Sequence, residues 1–129
     1  MSAYAYLLGW RIVRYLPESL AQRIFAVIGD YVYRKNGKGI QRLRSNLAII
    51  SKLEGHALED LTKDATRSYM RYWCDTFRLP DWSKERIINT VELVNGEALT
   101  GPLDAGRGVV VTLPHSENWD HAAAYFLSN

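Results

Sequence analysis

A single cysteine, Cys74, leaves no disulfide to form within the 129 residues. A disulfide-stapled secreted scaffold is therefore excluded, and a reduced, cytosolic setting is expected. Nine glycines and four prolines are too few for a collagen-like or disordered chain. Long apolar runs are missing as well. Residues 3–10 stay apolar only until Arg11 interrupts them, far short of the ~20 residues that cross a bilayer. No basic residue precedes that run, so the charged start of a secretory signal is missing too. The chain has no internal repeat, no low-complexity stretch, no Gly-x-Ser-x-Gly nucleophile elbow, and no zinc-finger or RNP motif.

What remains is an ordinary globular balance, 47% hydrophobic and 23% charged. It suffices for one domain with a core and is too short for two. The net charge of +2 conceals an uneven distribution. Residues 1–50 hold eight basic side chains against Glu18 and Asp30, a balance of +6, whereas residues 51–129 sum to −4. Such a split predicts that the N-terminal part meets an anionic surface, a membrane or a nucleic acid. Nucleic acid fits less well, because the cations are spread over three apolar helical stretches without a recognition motif.

Those stretches set the organisation. Residues 3–16 read as a helix with Leu8, Ile12 and Tyr15 on one face. There Tyr4, Tyr6 and Trp10 are suited to a membrane interface, with Arg11 and Arg14 able to snorkel. Pro17 opens a second helix striped by Leu20, Ile24, Val27, Ile28 and Tyr31, and Gly37 and Gly39 break it. A third helix carries Ile40, Leu43, Leu47 and Ile50. Each stripe reads either as core or as a lipid-facing surface. A long helix is predicted from residue 58 to 77, closed by Pro80. Its aromatics Tyr69, Tyr72, Trp73 and Phe77 suit a core, or a cleft for sugar or lipid. Cys74 reads as a small buried hydrophobe. Asp81 or Ser83 caps a short helix through Ile88. Residues 91–94 are expected to form a strand, Asn95-Gly96 a turn, and residues 97–104 a weak helix ended by Ala105-Gly106-Arg107-Gly108.

Residues 109–113, Val-Val-Val-Thr-Leu, read as a strand buried on both faces. A polar loop from Pro114 to His121 follows, and then a helix over 122–127. The C-terminal edge of such an α/β unit is where active sites gather. In the loop, His115-x-x-x-x-Asp120 offers an imidazole and a carboxylate that can orient it as a general base. Three other readings stay open. His115 and Asp120 can cap the helix and bond loop backbone. His115, Glu117, Asp120 and His121 can ligate a metal. Ser116 can serve as a nucleophile.

Leu-Pro-His-Ser-x-Asn-Trp-Asp, Leu113 to Asp120, following a valine run resembles the His-x-x-x-x-Asp acyltransferases of the lysophospholipid and glycerol-phosphate acyltransferase superfamily. More narrowly, it resembles the branch containing lipid A acyltransferases and actinobacterial phosphatidylinositol mannoside acyltransferases. Gly9-Trp10-Arg11-x-Val13-Arg14, Gln41-Arg42-Leu43-Arg44-x-Asn46-Leu47, Arg71-Tyr72-Trp73, Phe77-Arg78-Leu79-Pro80 and Leu103-Asp104-Ala105-Gly106-Arg107-Gly108 extend the likeness along nearly the whole chain. The resemblance implies an α/β fold, in which N-terminal helices lead into the start of a sheet sandwiched by helices, cut short within a longer domain. Basic membrane-facing helices would fill 1–50, further helices 51–90, and the first strands with the His-Asp motif 91–129. It also implies that His115 binds the acceptor and acts as base, that Asp120 orients it, and that no metal or cofactor is needed. The co-substrate would be acyl-CoA and the acceptor a phosphatidylinositol mannoside. Transfer to a lipid A-type acceptor, or an inactive membrane-binding fragment, are the alternatives. The setting would be peripheral, on an anionic membrane surface at the cytoplasmic face of the plasma membrane. Position 117, usually small in this branch, is Glu here, and a carboxylate beside His115 favours the protonated ring.

Overall fold

The computed structural model describes the backbone of residues 3–112 and 118–128, and within these the side chains from residue 9 onward. Among the described residues seven α-helices follow one another: α1 (Ala3–Tyr15), α2 (Glu18–Lys35), α3 (Lys38–Ser51), α4 (Gly55–Arg78), α5 (Lys84–Asn89), α6 (Glu97–Asp104) and α7 (Trp119–Ser128). A 3-10 turn, Leu79–Asp81, follows α4. The chain divides into two compact units, Met1–Pro80 and Asp81–Asn129.

In the first unit α2 and α3 both pack on α4, and α1 joins at the far end. The core is small: Ala21, Phe25 and Cys74 are buried, with Val13, Leu16, Met70, Trp73 and Phe77 packed around them. Helix α4 turns Thr62 and Thr66 inward, 0% and 2% exposed. Buried hydroxyls need partners, and these bond to their own helix, Thr62 Oγ1 to the Leu58 carbonyl (2.7 Å) and Thr66 Oγ1 to the Thr62 carbonyl (2.8 Å). Small side chains let the helices approach closely. A Cβ on Gly29 of α2 would stand 3.3 Å from the Arg67 Cα of α4.

Polar ties fix the helix ends. The Arg78 Nη1 at the end of α4 donates to the carbonyls of Val13 (2.8 Å) and Leu16 (2.7 Å), closing the C-terminus of α1, where carbonyls have no helical partner. Trp10 Nε1 donates to the Phe77 carbonyl at 2.8 Å. Trp10 thereby ties α1 to the end of α4 within its own unit. At the other end, Glu59 accepts from Tyr33 Oη (2.7 Å) and Arg44 Nη2 (3.0 Å), and Arg44 Nε lies 2.7 Å from its other oxygen. The hydroxyl and the guanidinium hold the Glu59 carboxyl below its usual range, and Glu59 in turn raises Tyr33 and Arg44.

In the second unit Ser83 caps α5, its hydroxyl accepting from the Arg86 N–H at 3.2 Å, and α5 packs on α7. Helix α6 ends as its Ala-Gly-Arg-Gly sequence predicts. Gly106 sits at φ 71°, the Gly106 N–H meets the Leu103 carbonyl and the Arg107 N–H meets that of Pro102, both at 2.9 Å, a Schellman closure.

The expected α/β architecture is not what the chain forms. Among the described residues there is no strand, and the fold is all-helical. Residues 91–93 and 107–112 are extended or irregular without a ladder, and Val94, Val110 and Val111 are exposed at 75%, 91% and 46%. A β-branched run becomes a strand only when a second run supplies the backbone partners and a packed face, and no such neighbour stands beside these segments among the described residues.

Candidate functional site

The sequence pattern predicts one polar loop from Pro114 to His121. Residues 113–117, and with them His115, Ser116 and Glu117, lie outside the described residues. The part that is described belongs to a helix rather than a loop. Asn118 is the N-cap of α7: its Oδ1 accepts the His121 N–H at 3.1 Å, and its carbonyl accepts the N–H groups of His121 (3.1 Å) and Ala122 (3.3 Å). That cap pulls Trp119, Asp120 and His121 into the first turn. Asp120 is half-buried there, at a helix N-terminus where a carboxylate is favoured by the unpaired N–H groups.

His121 is gripped from the two ends of α5, by Thr90 just after it and Trp82 just before it. Its Nε2 stands 3.0 Å from Thr90 Oγ1, and its ring meets Trp82 at 5.0 Å between centroids and 85° between planes. The Arg86 guanidinium lies 4.0 Å from the Trp82 ring centroid. Sequence reading missed this cluster. The Asn118-x-x-His121 spacing of an N-cap was the one visible signal; Thr90 lies 31 residues away. Among the described residues no group of three His, Cys, Asp or Glu side chains is placed to hold a metal ion.

The aromatics of α4 divide. Trp73 and Phe77 pack on the core, while Tyr69 is 55% exposed and stacks on Tyr72 at 6.2 Å. Cys74 is fully buried, as expected, and burial pushes its thiol up from 9.0 to about 11.

The stripe read on α2 lies on the outside. Ala21, Phe25 and Gly29 form the inward face, and Leu20, Ile24, Val27, Ile28 and Tyr31 are exposed. Successive residues turn by ~100°, which places Arg23 and Arg34 along one edge of this stripe and Lys35 at its foot. Lys35 Nζ lies 5.3 Å from the Tyr31 ring centroid. Asp30, the carboxylate beside that edge, is held by Arg67 through two bonds of 2.7 Å. An open groove of about 310 Å³ lined by Asp30, Arg34 and Lys63 lies along the same edge. Among the described residues no helix is long and apolar enough to cross a membrane.

Residues 1–129 match the family model described as bacterial lipid A biosynthesis acyltransferase, and the chain belongs to that family. Within it, the chain is similar to proteins named phosphatidylinositol mannoside acyltransferase. It is 39% identical to the one from Mycolicibacterium smegmatis over 96% of this chain, and 36% identical to that of Mycobacterium tuberculosis, also over 96%. In both cases the chain spans 40% of the relative's length. No solved structure matches the chain significantly.

Proposed function

We propose that the chain takes part in transferring a long acyl group from acyl-CoA to a mannose hydroxyl of a phosphatidylinositol mannoside. His115 takes the proton of the mannose hydroxyl while Asp120 orients the imidazole and stabilises its cation. The mannose oxygen attacks the thioester carbonyl, the C–S bond breaks, and the coenzyme A thiolate leaves and recovers the proton from His115. An ester and free coenzyme A result, with no acyl-enzyme and no cofactor. Such general-base assistance is worth roughly 10²–10⁴ in rate.

The observation that carries this reading is the 39% identity to a protein named phosphatidylinositol mannoside acyltransferase, joined to a His-x-x-x-x-Asp pattern whose Asp120 lies in the first turn of a capped helix. The acceptor and the acyl chain both belong to lipid. We place the work on an anionic membrane surface at the cytoplasmic face of the plasma membrane, with the exposed α2 stripe and its flanking cations against the lipid. The test is coenzyme A release by the protein given acyl-CoA and the mannoside, beside His115→Ala and Asp120→Asn. Turnover that requires both residues supports the reading, and turnover that survives their loss sinks it.

Two specific observations favour second readings. The matching family is described by lipid A biosynthesis, so a lipid A-type acceptor is the control substrate. The chain spans 40% of its named relatives, so lipid binding without turnover is the outcome that would mark it as a membrane-binding part alone.

A further inference from the structure

His121 is fixed at both its main chain and its ring. The Thr90 hydroxyl lies 2.7 Å from the Arg86 carbonyl and 3.2 Å from that of Ile87. Its single proton is therefore committed to a carbonyl, and the oxygen accepts. The short contact to His121 is then an Nε2–H donated to Thr90 Oγ1. Trp82 stands against the same ring, and the His121 N–H is held by the Asn118 cap. Together these contacts stop α7 from turning about its own axis relative to α5.

Asp120 is the preceding residue, about 100° around the same helix. A side-chain tip rides about 5–6 Å from the helix axis, so a 20° rotation of α7 moves it by about 2 Å. Misplacement of a reacting group by 1 Å can cost on the order of 10²-fold in rate. We infer that His121 is a positioning residue: the Thr90–His121–Trp82 anchor sets the direction of the Asp120 carboxylate. This rests on the acyl-transfer role of Asp120 proposed above. With Nε2 spent on Thr90, His121 itself moves no proton through that nitrogen.

Four single variants and one double variant test it in the full chain. His121→Phe keeps a ring against Trp82 and loses the donor, Thr90→Val loses the acceptor, and His121→Gln returns an N–H near the Nε2 position. Asp120→Asn is the reference. Expected are a kcat lowered about 10- to 100-fold in His121→Phe and Thr90→Val with KM for both substrates unchanged. Recovery to within about threefold is expected in His121→Gln, with no added loss in the His121→Phe/Thr90→Val double variant. Unchanged kcat in the first two, while Asp120→Asn is inactive, overturns the inference and leaves the acyl-transfer reading intact.

A second readout needs no turnover. In ¹⁵N-labelled protein the neutral His121 ring should carry its proton on Nε2, and Asp120 should hold one χ1 rotamer that averages in His121→Phe and Thr90→Val. A proton on Nδ1, or an Asp120 rotamer indifferent to both changes, overturns the inference. A normal kcat in Asp120→Asn overturns the acyl-transfer reading instead, and the rotamer result then decides the anchor on its own.

Discussion

Arg67 of α4 grips Asp30 of α2 with two parallel bonds, Nε to Oδ1 and Nη2 to Oδ2, each 2.7 Å. The pair is partly exposed, 41% for the arginine side chain and 24% for the aspartate, so solvent and salt screen it. Its chief bond still holds the Asp30 carboxyl below its ordinary 3.8. A carboxylate whose folded pKa is depressed adds stability that is complete above the ordinary value and is lost as the pH falls through the lowered one. Asp30→Asn should therefore melt below the wild type at pH 7, and the gap in Tm should close below pH 3.8. Melts followed by circular dichroism from pH 7 to pH 2 check this; a gap that persists at pH 2 assigns the loss elsewhere.

Gly29 lies directly under that pair and sets how close α2 comes to α4. Alanine gains up to about 1 kcal/mol of helix propensity, yet its Cβ would meet the Arg67 Cα at 3.3 Å and the Met70 Cγ at 3.4 Å. The first neighbour is backbone of a 24-residue helix, which must move as a body. The two effects nearly cancel, so Gly29→Ala should stay within about 1 kcal/mol of wild type in urea unfolding. Gly29→Leu gains a similar propensity with far more bulk and should lose about 2–3 kcal/mol. Equal stability of the two variants would show that the helices are not in close contact there.

The same close approach explains what the sequence could and could not reveal. Helix positions were legible because a 3.6-residue period and its punctuation are local: Pro17, Gly37 and Pro80 fall at or beside the ends of α2, α3 and α4. Which face of α2 turns inward was not. The pattern points at Leu20, Ile24 and Val27, but α4 packs closely only over the small face of Ala21 and Gly29. The strand over 91–94 and the described part of that over 109–113, residues 109–112, are absent for the complementary reason, since a β-branched run describes a strand only in the presence of a partner. At the site, Asp120 was visible as a pattern and mistaken in its setting, because the cap that moves it from loop to helix is the side chain of Asn118. The Thr90–His121 bond spans 31 residues and follows no spacing rule.

Cys74 should behave as an inert hydrophobe. Burial, reinforced by Asp75, raises its thiol to about 11 from 9.0, which alone lowers the thiolate fraction at pH 8 by about a hundredfold. Full burial adds a steric barrier. The native protein should react with a disulfide reagent at the rate of global or local unfolding, and in urea one thiol should titrate at once. Fast modification without urea would mean that α4 opens near Cys74.

The outer stripe of α2 makes the membrane proposal separable into two contributions. Arg23, Arg34 and Lys35 are each exposed, and a cation near an anionic lipid surface is worth about 1 kcal/mol. Replacing all three by Gln should therefore weaken binding to vesicles of 30% phosphatidylglycerol in phosphatidylcholine by roughly a hundredfold at 0.15 M salt. Binding to pure phosphatidylcholine should change little, because the charge contribution is absent there. Val27 is 64% exposed, so Val27→Glu should leave the melting temperature nearly unchanged while impairing binding to both kinds of vesicle, by placing a carboxylate where the stripe must enter the interface. Co-sedimentation with salt titration reads both effects. If neither variant alters lipid binding and the wild type instead self-associates through this face, the stripe serves a protein contact, and the membrane assignment fails.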